Sequence, residues 1–176
     1  MHTICIQTKR LVLRPLSVLD APAVWEWVSD ERVARYMVYP TYTEIGRVKD
    51  WLASVEQDPN VNHFDFGFER KADGLLIGSG DIGFNARRDC WEFGYNFRYD
   101  CWGMGYATEA AKAMIRYAQE TFAAHRFGAS HAEPNLASGH VMEKCGLHKV
   151  GYGRFQKLDG SAPMRSVEYE GELNTV

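Results

Sequence analysis

Polar and apolar residues alternate from Arg10 through Arg14 and stop at Pro15, whose missing N–H ends a strand ladder; a first strand is read there. Val24, Trp25 and Val28 then fall on one face of a helix that Asp20 can cap, Pro22 can start and Asp30 should end. Ile45, Val48, Leu52 and Val55 mark a second amphipathic helix, with Trp51 widening its apolar side. The aromatic segment between them, Tyr36 to Tyr42, reads either as a hydrophobic staple or as one wall of a binding pocket.

Strand-like runs follow at Phe64 to Glu69, Leu75 to Ile82 and Trp91 to Phe97, and the short Gly-, Asn- and Asp-bearing links between them imply antiparallel neighbours. Ala107, Ala111, Met114, Ala118 and Phe122 set a helical stripe from about Gly105 to Phe122. A strand over Phe127 to Ala132 and a helix over Asn135 to Cys145, stopped by Gly146, come next. Two strands, His148–Phe155 and Arg165–Glu172, end the pattern around the turn at Asp159-Gly160. The order β-α-α-β-β-β-α-β-α-β-β, with no repeat, linker or low-complexity break, predicts a single domain over residues 1–176.

Composition narrows the functional classes. Hydrophobic residues at 45% and charged residues at 24% describe an ordinary globular chain with a packed core. A net charge of -3 argues against a nucleic-acid partner, and the absence of a leader-like start or a bilayer-length apolar run argues against a membrane and for the cytoplasm. Cys5, Cys90, Cys101 and Cys145 form no paired motif and the histidines lack ligand spacing, so no metal is expected.

The segment Trp102-Gly103-Met104-Gly105-Tyr106-Ala107-Thr108-Glu109-Ala110 stands where a strand gives way to a helix. Such a junction presents unpaired backbone N–H groups, glycines let an anion approach them, and the helix dipole adds attraction. No Gly-Lys-Ser/Thr follows, as a P-loop requires, and Thr108 occupies the third glycine position of a dinucleotide fingerprint. The antiparallel strands upstream also disfavour a Rossmann sheet. An anion site on a different fold remains.

Several motifs in order give the chain a family likeness: Thr8 to Leu16, Trp91-Glu92-Phe93-Gly94-Tyr95, Trp102 to Ala110, Asn135-Leu136-Ala137-Ser138 and Glu143-Lys144-Cys145-Gly146-Leu147. In these the sequence resembles the GNAT superfamily of N-acetyltransferases, in particular its RimJ/RimL-like branch, over nearly the whole chain. The resemblance implies an α/β (α+β) GNAT-type fold, with a central mixed, mostly antiparallel, splayed sheet flanked by helices. It implies direct transfer of an acetyl group from acetyl-CoA to a primary amine, either a protein N-terminus or a small molecule. The alternative is a CoA-binding module that no longer catalyses. Oligomeric state, a homodimer included, stays open.

By the same resemblance, the amides of Gly103, Met104, Gly105, Tyr106, Ala107 and Thr108 hold the CoA pyrophosphate, Phe97 and Arg98 lie along the pantetheine, and Asn135 reaches the CoA arm. Glu92 is the candidate for accepting the amine proton, with an exposed strand acid or a partner for Arg98 as the structural alternative. Ser138 is the candidate for protonating the thiolate, with helix capping as its alternative. Gln156 stands where some RimL-like enzymes carry a glutamate, and Glu109 is assigned a structural role in the first helical turn. Cys101 is left out of the catalytic set, because no local cation or histidine pattern would activate its thiol.

Overall fold

The computed structural model describes residues 4–174. Eight strands form one sheet in the order β1-β2-β3-β4-β5-β6-β8-β7. They are β1 (Ile6–Gln7), β2 (Leu11–Arg14), β3 (His63–Arg70), β4 (Leu75–Asn85), β5 (Cys90–Phe97), β6 (Arg126–Ala132), β7 (His148–Phe155) and β8 (Met164–Glu172). Every pairing is antiparallel except β5 with β6. The helices are α1 (Ala21–Val28), α2 (Glu31–Ala34), α3 (Ile45–Gln57), α4 (Tyr106–Phe122) and α5 (Leu136–Lys144). The mixed, mostly antiparallel sheet and its flanking helices match the expected class.

Strand periodicity sorts the sheet into two faces. Phe66, Phe68, Phe93 and Phe97 point to one side, where Ala110, Ala111, Met114 and Ala118 of α4 bury against them. The small residues of that helical stripe let α4 lie close to the aromatic strands. On the other side, Leu16, Val24, Trp27, Val48, Leu52 and Leu76 make a second core under α1 and α3.

The parallel pair β5 and β6 is registered only at Trp91↔Phe127 and Glu92↔Gly128. Beyond it β5 continues against β4 as far as Phe97, and β6 continues against β8 as far as Ala132. The two strands therefore diverge, and the sheet is splayed into a V. Arg88, in the β4–β5 turn, closes the narrow end: it pairs with Glu92 at 2.6 Å, Glu168 at 3.2 Å and Glu170 at 2.7 Å.

Some local details depart from the sequence reading. Asp20 occupies the N-cap position of α1 but makes no capping bond. Its carboxylate instead accepts from both terminal nitrogens of Arg14 and from the Ser17 amide, while Ser17 caps the preceding short turn. Glu92 pairs with Arg88 rather than Arg98, whose partner is Asp100. Strand β1 and the short helix α2 were not separated by periodicity, because elements of 2 and 4 residues are too short to show a period.

Candidate active site

The glycine loop follows β5 through a short turn at Tyr99–Cys101. Gly103 and Gly105 have φ of 74° and 80°, in the left-handed region that glycine occupies without strain. These twists turn a run of amides toward one side at the start of α4. Among the described residues, no carbonyl or side chain accepts from the N–H groups of Gly103, Met104, Gly105, Tyr106, Ala107 or Thr108.

Arg10 braces this loop from behind. Its Nη1 donates to the Met104 carbonyl at 2.8 Å, its Nε donates to Glu109 Oε2 at 2.7 Å, and its guanidinium lies 4.3 Å from the centre of the Tyr106 ring. Because the Met104–Gly105 peptide is planar and trans, fixing that carbonyl toward Arg10 aims the Gly105 N–H the opposite way. Glu109 also accepts from Thr8 Oγ1 at 2.6 Å and from the Arg10 amide at 2.7 Å. Burial opposes ionisation of Glu109, but these donors outweigh it and hold its pKa below the ordinary glutamate value. Its structural assignment holds, and Arg10 is a loop-supporting residue that periodicity could not reveal.

The open edge of β5 leads into the loop. Arg98 donates its amide to Ile77 O at 2.9 Å, so Arg98 faces β4; by the alternation of an antiparallel ladder, Phe93, Tyr95 and Phe97 turn their backbone groups toward the splay. The Phe97 carbonyl there accepts from the indole Nε1 of Trp102 at 2.9 Å. Of the expected pantetheine pair, Phe97 thus lies on the splay side, while the Arg98 amide belongs to the β4 ladder.

Across the V, α5 brings Ser138 to the tyrosine of β5. Tyr95 Oη and Ser138 Oγ are 2.9 Å apart. Burial pushes the Tyr95 phenol above its usual pKa, so it stays protonated at neutral pH. Asn135 begins α5 with no capping bond from its side chain. Cys101 is buried, and that burial raises its thiol pKa, the reverse of activation.

On the opposite face of the sheet, a cleft of about 560 Å³ is lined by residues including Asn60, Asn62, His63, Asp81, Asn85 and Glu92. Glu92, at the narrow end of the V, accepts from Arg88 on one oxygen and from Asn85 Nδ2 on the other at 2.8 Å. Of the two alternatives weighed for the aromatic segment before α3, the packing one is what its contacts show, and none of its residues lines this cleft. Tyr39 and Tyr42 pack on the α1–α3 core, and Lys157 clamps the segment by donating to the carbonyls of Ala34, Met37 and Tyr39. Sequence reasoning missed Asp81 and His63; the signal was a charged residue inside the glycine-flanked strand run Gly80-Asp81-Ile82-Gly83.

A model of the acetyltransferase (GNAT) domain matches residues 10–148. The chain is 31% identical over 147 residues to the uncharacterized N-acetyltransferase YnaD of Bacillus subtilis strain 168, covering 84% of each. In structure it resembles a GNAT-family acetyltransferase from Bacillus anthracis, with a TM-score of 0.81, 24% identity, and coverage of 96% of this chain and 98% of that one. It also resembles RimL, a ribosomal L7/L12 alpha-N-protein acetyltransferase solved with coenzyme A; there the TM-score is 0.82, the identity 15%, and the coverage 97% and 98%.

Proposed function

The chain belongs to the GNAT acetyltransferase family and is an acyltransferase that uses acetyl-CoA, and from that premise we propose that it moves the acetyl group directly to a primary amine, of a protein N-terminus or of a small molecule. The observation that carries this reading is the continuity of unpaired backbone beyond the β5–β6 seam, from the splay-facing amides of Tyr95 and Phe97 to the amides of Gly103 through Thr108. A thioester donor with a long amide-bearing arm and a pyrophosphate needs that sequence of donors. The amide-bearing arm pairs like an extra strand along β5, and the pyrophosphate meets the N-terminus of α4.

In this reading Gly103, Met104, Gly105, Tyr106, Ala107 and Thr108 hold the pyrophosphate, Phe97 borders the arm, and Asn135 contacts it from α5. A splay-facing β5 amide polarises the thioester carbonyl. Tyr95 and Ser138 form the relay that returns a proton to the thiolate, since Ser138 bonds to a phenol held protonated by burial. Glu92 lines the cleft with one oxygen held by Arg88 and the other by Asn85. Holding amine and thioester together supplies up to roughly 7–11 kcal/mol of the barrier reduction in favourable cases.

Free-thiol release from acetyl-CoA, measured against a panel of free-N-terminus peptides and small primary amines, tests the proposal. Acceptor-dependent release supports it. Tight acetyl-CoA binding with no acceptor-dependent release from any amine would replace it with the non-catalytic CoA-binding reading.

A further inference from the structure

The β4 carboxylate Asp81 stands apart from the paired charges around it. Most carboxylates of the sheet surface have a cationic partner: Glu69 has Arg14, and Glu92, Glu168 and Glu170 share Arg88. Asp81 accepts no hydrogen bond from any described residue, although it is half-buried and lines the polar cleft. Its oxygens, held by no protein donor, are left for whatever cation or water enters the cleft.

Its position explains what that donor would meet. Asp81 is registered with Gly94 of β5, and a Cβ on Gly94 would come within 3.0 Å of Asp81 Oδ1. The missing side chain therefore lets the carboxylate lie directly against the strand. Gly94 sits between Phe93 and Tyr95, whose backbone groups face the splay, two residues beyond the last pairing of β5 with β6. The cleft thus reaches the sheet from one face at the level where the V opens on the other side.

We propose that Asp81 is the residue that binds the acceptor's ammonium group and takes its proton, and that the acceptor is a cationic primary amine flanked by hydrogen-bonding groups that the cleft's asparagines engage. This rests on the transfer reading above. One ammonium proton moves to an Asp81 oxygen, and the freed nitrogen lone pair forms the C–N bond at the thioester carbon. The C–S bond then breaks. The second proton lost from nitrogen reaches the thiolate through Tyr95 and Ser138, and Asp81 returns its own proton to water through the open cleft. Each turnover consumes one ammonium and one thioester and yields one amide, one thiol and one solvent proton.

The electrostatics suit that task. Burial is the main cause that pushes the Asp81 pKa up to about 6; the His63 cation opposes it, while Asp65 and Glu92 add to it. His63 is itself raised, chiefly by its bond to Asp65, with Nε2 and Oδ2 3.3 Å apart. Arg87 also lines the cleft, and Arg88, next to it in the β4–β5 turn, is engaged by Glu92, Glu168 and Glu170. Asp81 is consequently ionised at neutral pH yet basic enough to hold a proton briefly.

The test compares wild type with Asp81→Asn, using acetyl-CoA and the best amine of the panel. The variant should lose about 10²–10⁴-fold in kcat/KM and lose the fall in rate that wild type shows as pH drops through about 6. It should bind acetyl-CoA as wild type does and melt no earlier, because it removes a half-buried charge that no protein donor satisfies; a structural carboxylate would cost stability instead. His63→Gln should keep the acidic limb and move it upward, since the cation opposing protonation is gone. In a second arm, independent of turnover, the Asp81 Cγ resonance is titrated with and without propylammonium, which should lower its apparent pKa. Wild-type rates and pH dependence in Asp81→Asn, or an Asp81 titration indifferent to propylammonium, would overturn the proposal. If propylammonium shifts Asp81 while wild type releases no thiol with any amine, the ammonium site stands and the transfer reading fails.

Discussion

Glu109→Ala removes one side chain from the base of the glycine loop and should act on both stability and donor binding. The carboxylate accepts from Thr8 Oγ1 at 2.6 Å, the Arg10 amide at 2.7 Å and Arg10 Nε at 2.7 Å. Hydrogen bonds to a charged group contribute about 1.5–3 kcal/mol each, so the gross loss is roughly 5–9 kcal/mol. The Glu109 side chain is 16% exposed and that of Arg10 39%, so water re-solvates much of what is released. A net cost of about 2–4 kcal/mol is expected, which for a chain of this size lowers Tm by roughly 4–16 °C. Because Arg10 would lose the partner that orients it toward the Met104 carbonyl, acetyl-CoA affinity should fall about fivefold, equivalent to roughly 1 kcal/mol. The pH dependence has a definite sign. The native pKa of Glu109 is depressed, so its contribution is complete above the ordinary glutamate range and disappears as pH falls through the lower native value. Thermal melts of wild type and variant from pH 7 to pH 3 should therefore converge at the acid end. A difference under about 0.5 kcal/mol at pH 7, or a large gap that persists unchanged to pH 3, would refute the reasoning.

Gly105→Glu forces a side chain into the left-handed region at about 1–2 kcal/mol and puts a negative charge in the amide cradle; calorimetry should show acetyl-CoA binding weakened at least tenfold, and an unchanged Kd would place the pyrophosphate elsewhere. The double variant Tyr95→Phe, Ser138→Ala should retain donor binding but lose about 10² in kcat, so an unaltered rate would remove the relay from the mechanism. Tyr39→Phe deletes a buried hydroxyl that has no partner among the described residues, and chemical denaturation should show stability unchanged or raised by up to about 1 kcal/mol; a loss beyond 1 kcal/mol would mean the hydroxyl is satisfied.

What could be read from the sequence follows the physics of local pattern. The α4 stripe and the aromatic alternation of β3 and β5 reflect burial against one face, so their periods survive in the chain and their bounds were placed within a few residues. The glycine loop was legible because positive φ and a strand-to-helix junction restrict residue type. Tertiary choices were not. Nothing local indicates that β8 inserts between β6 and β7, or that Arg88 reaches two carboxylates on β8. Asp81 looked like an ordinary strand acid because its depth and its approach to Gly94 are created by strands distant in the chain. Glu92 was identifiable as a carboxylate near the chemistry, yet the two donors that occupy its oxygens arise from the turn geometry of Asn85 and Arg88.

The V in the sheet has a mechanical side. The β1–β5 and β6–β8 plates share the parallel seam at Trp91↔Phe127 and Glu92↔Gly128, reinforced by the contacts of Arg88. Within each plate the antiparallel ladders run the length of the strands and resist shear, so compliance is concentrated at the seam. A donor pairing along β5, as proposed, would enter as a splint beside that weak joint, stiffening the molecule where its own backbone leaves it least continuous.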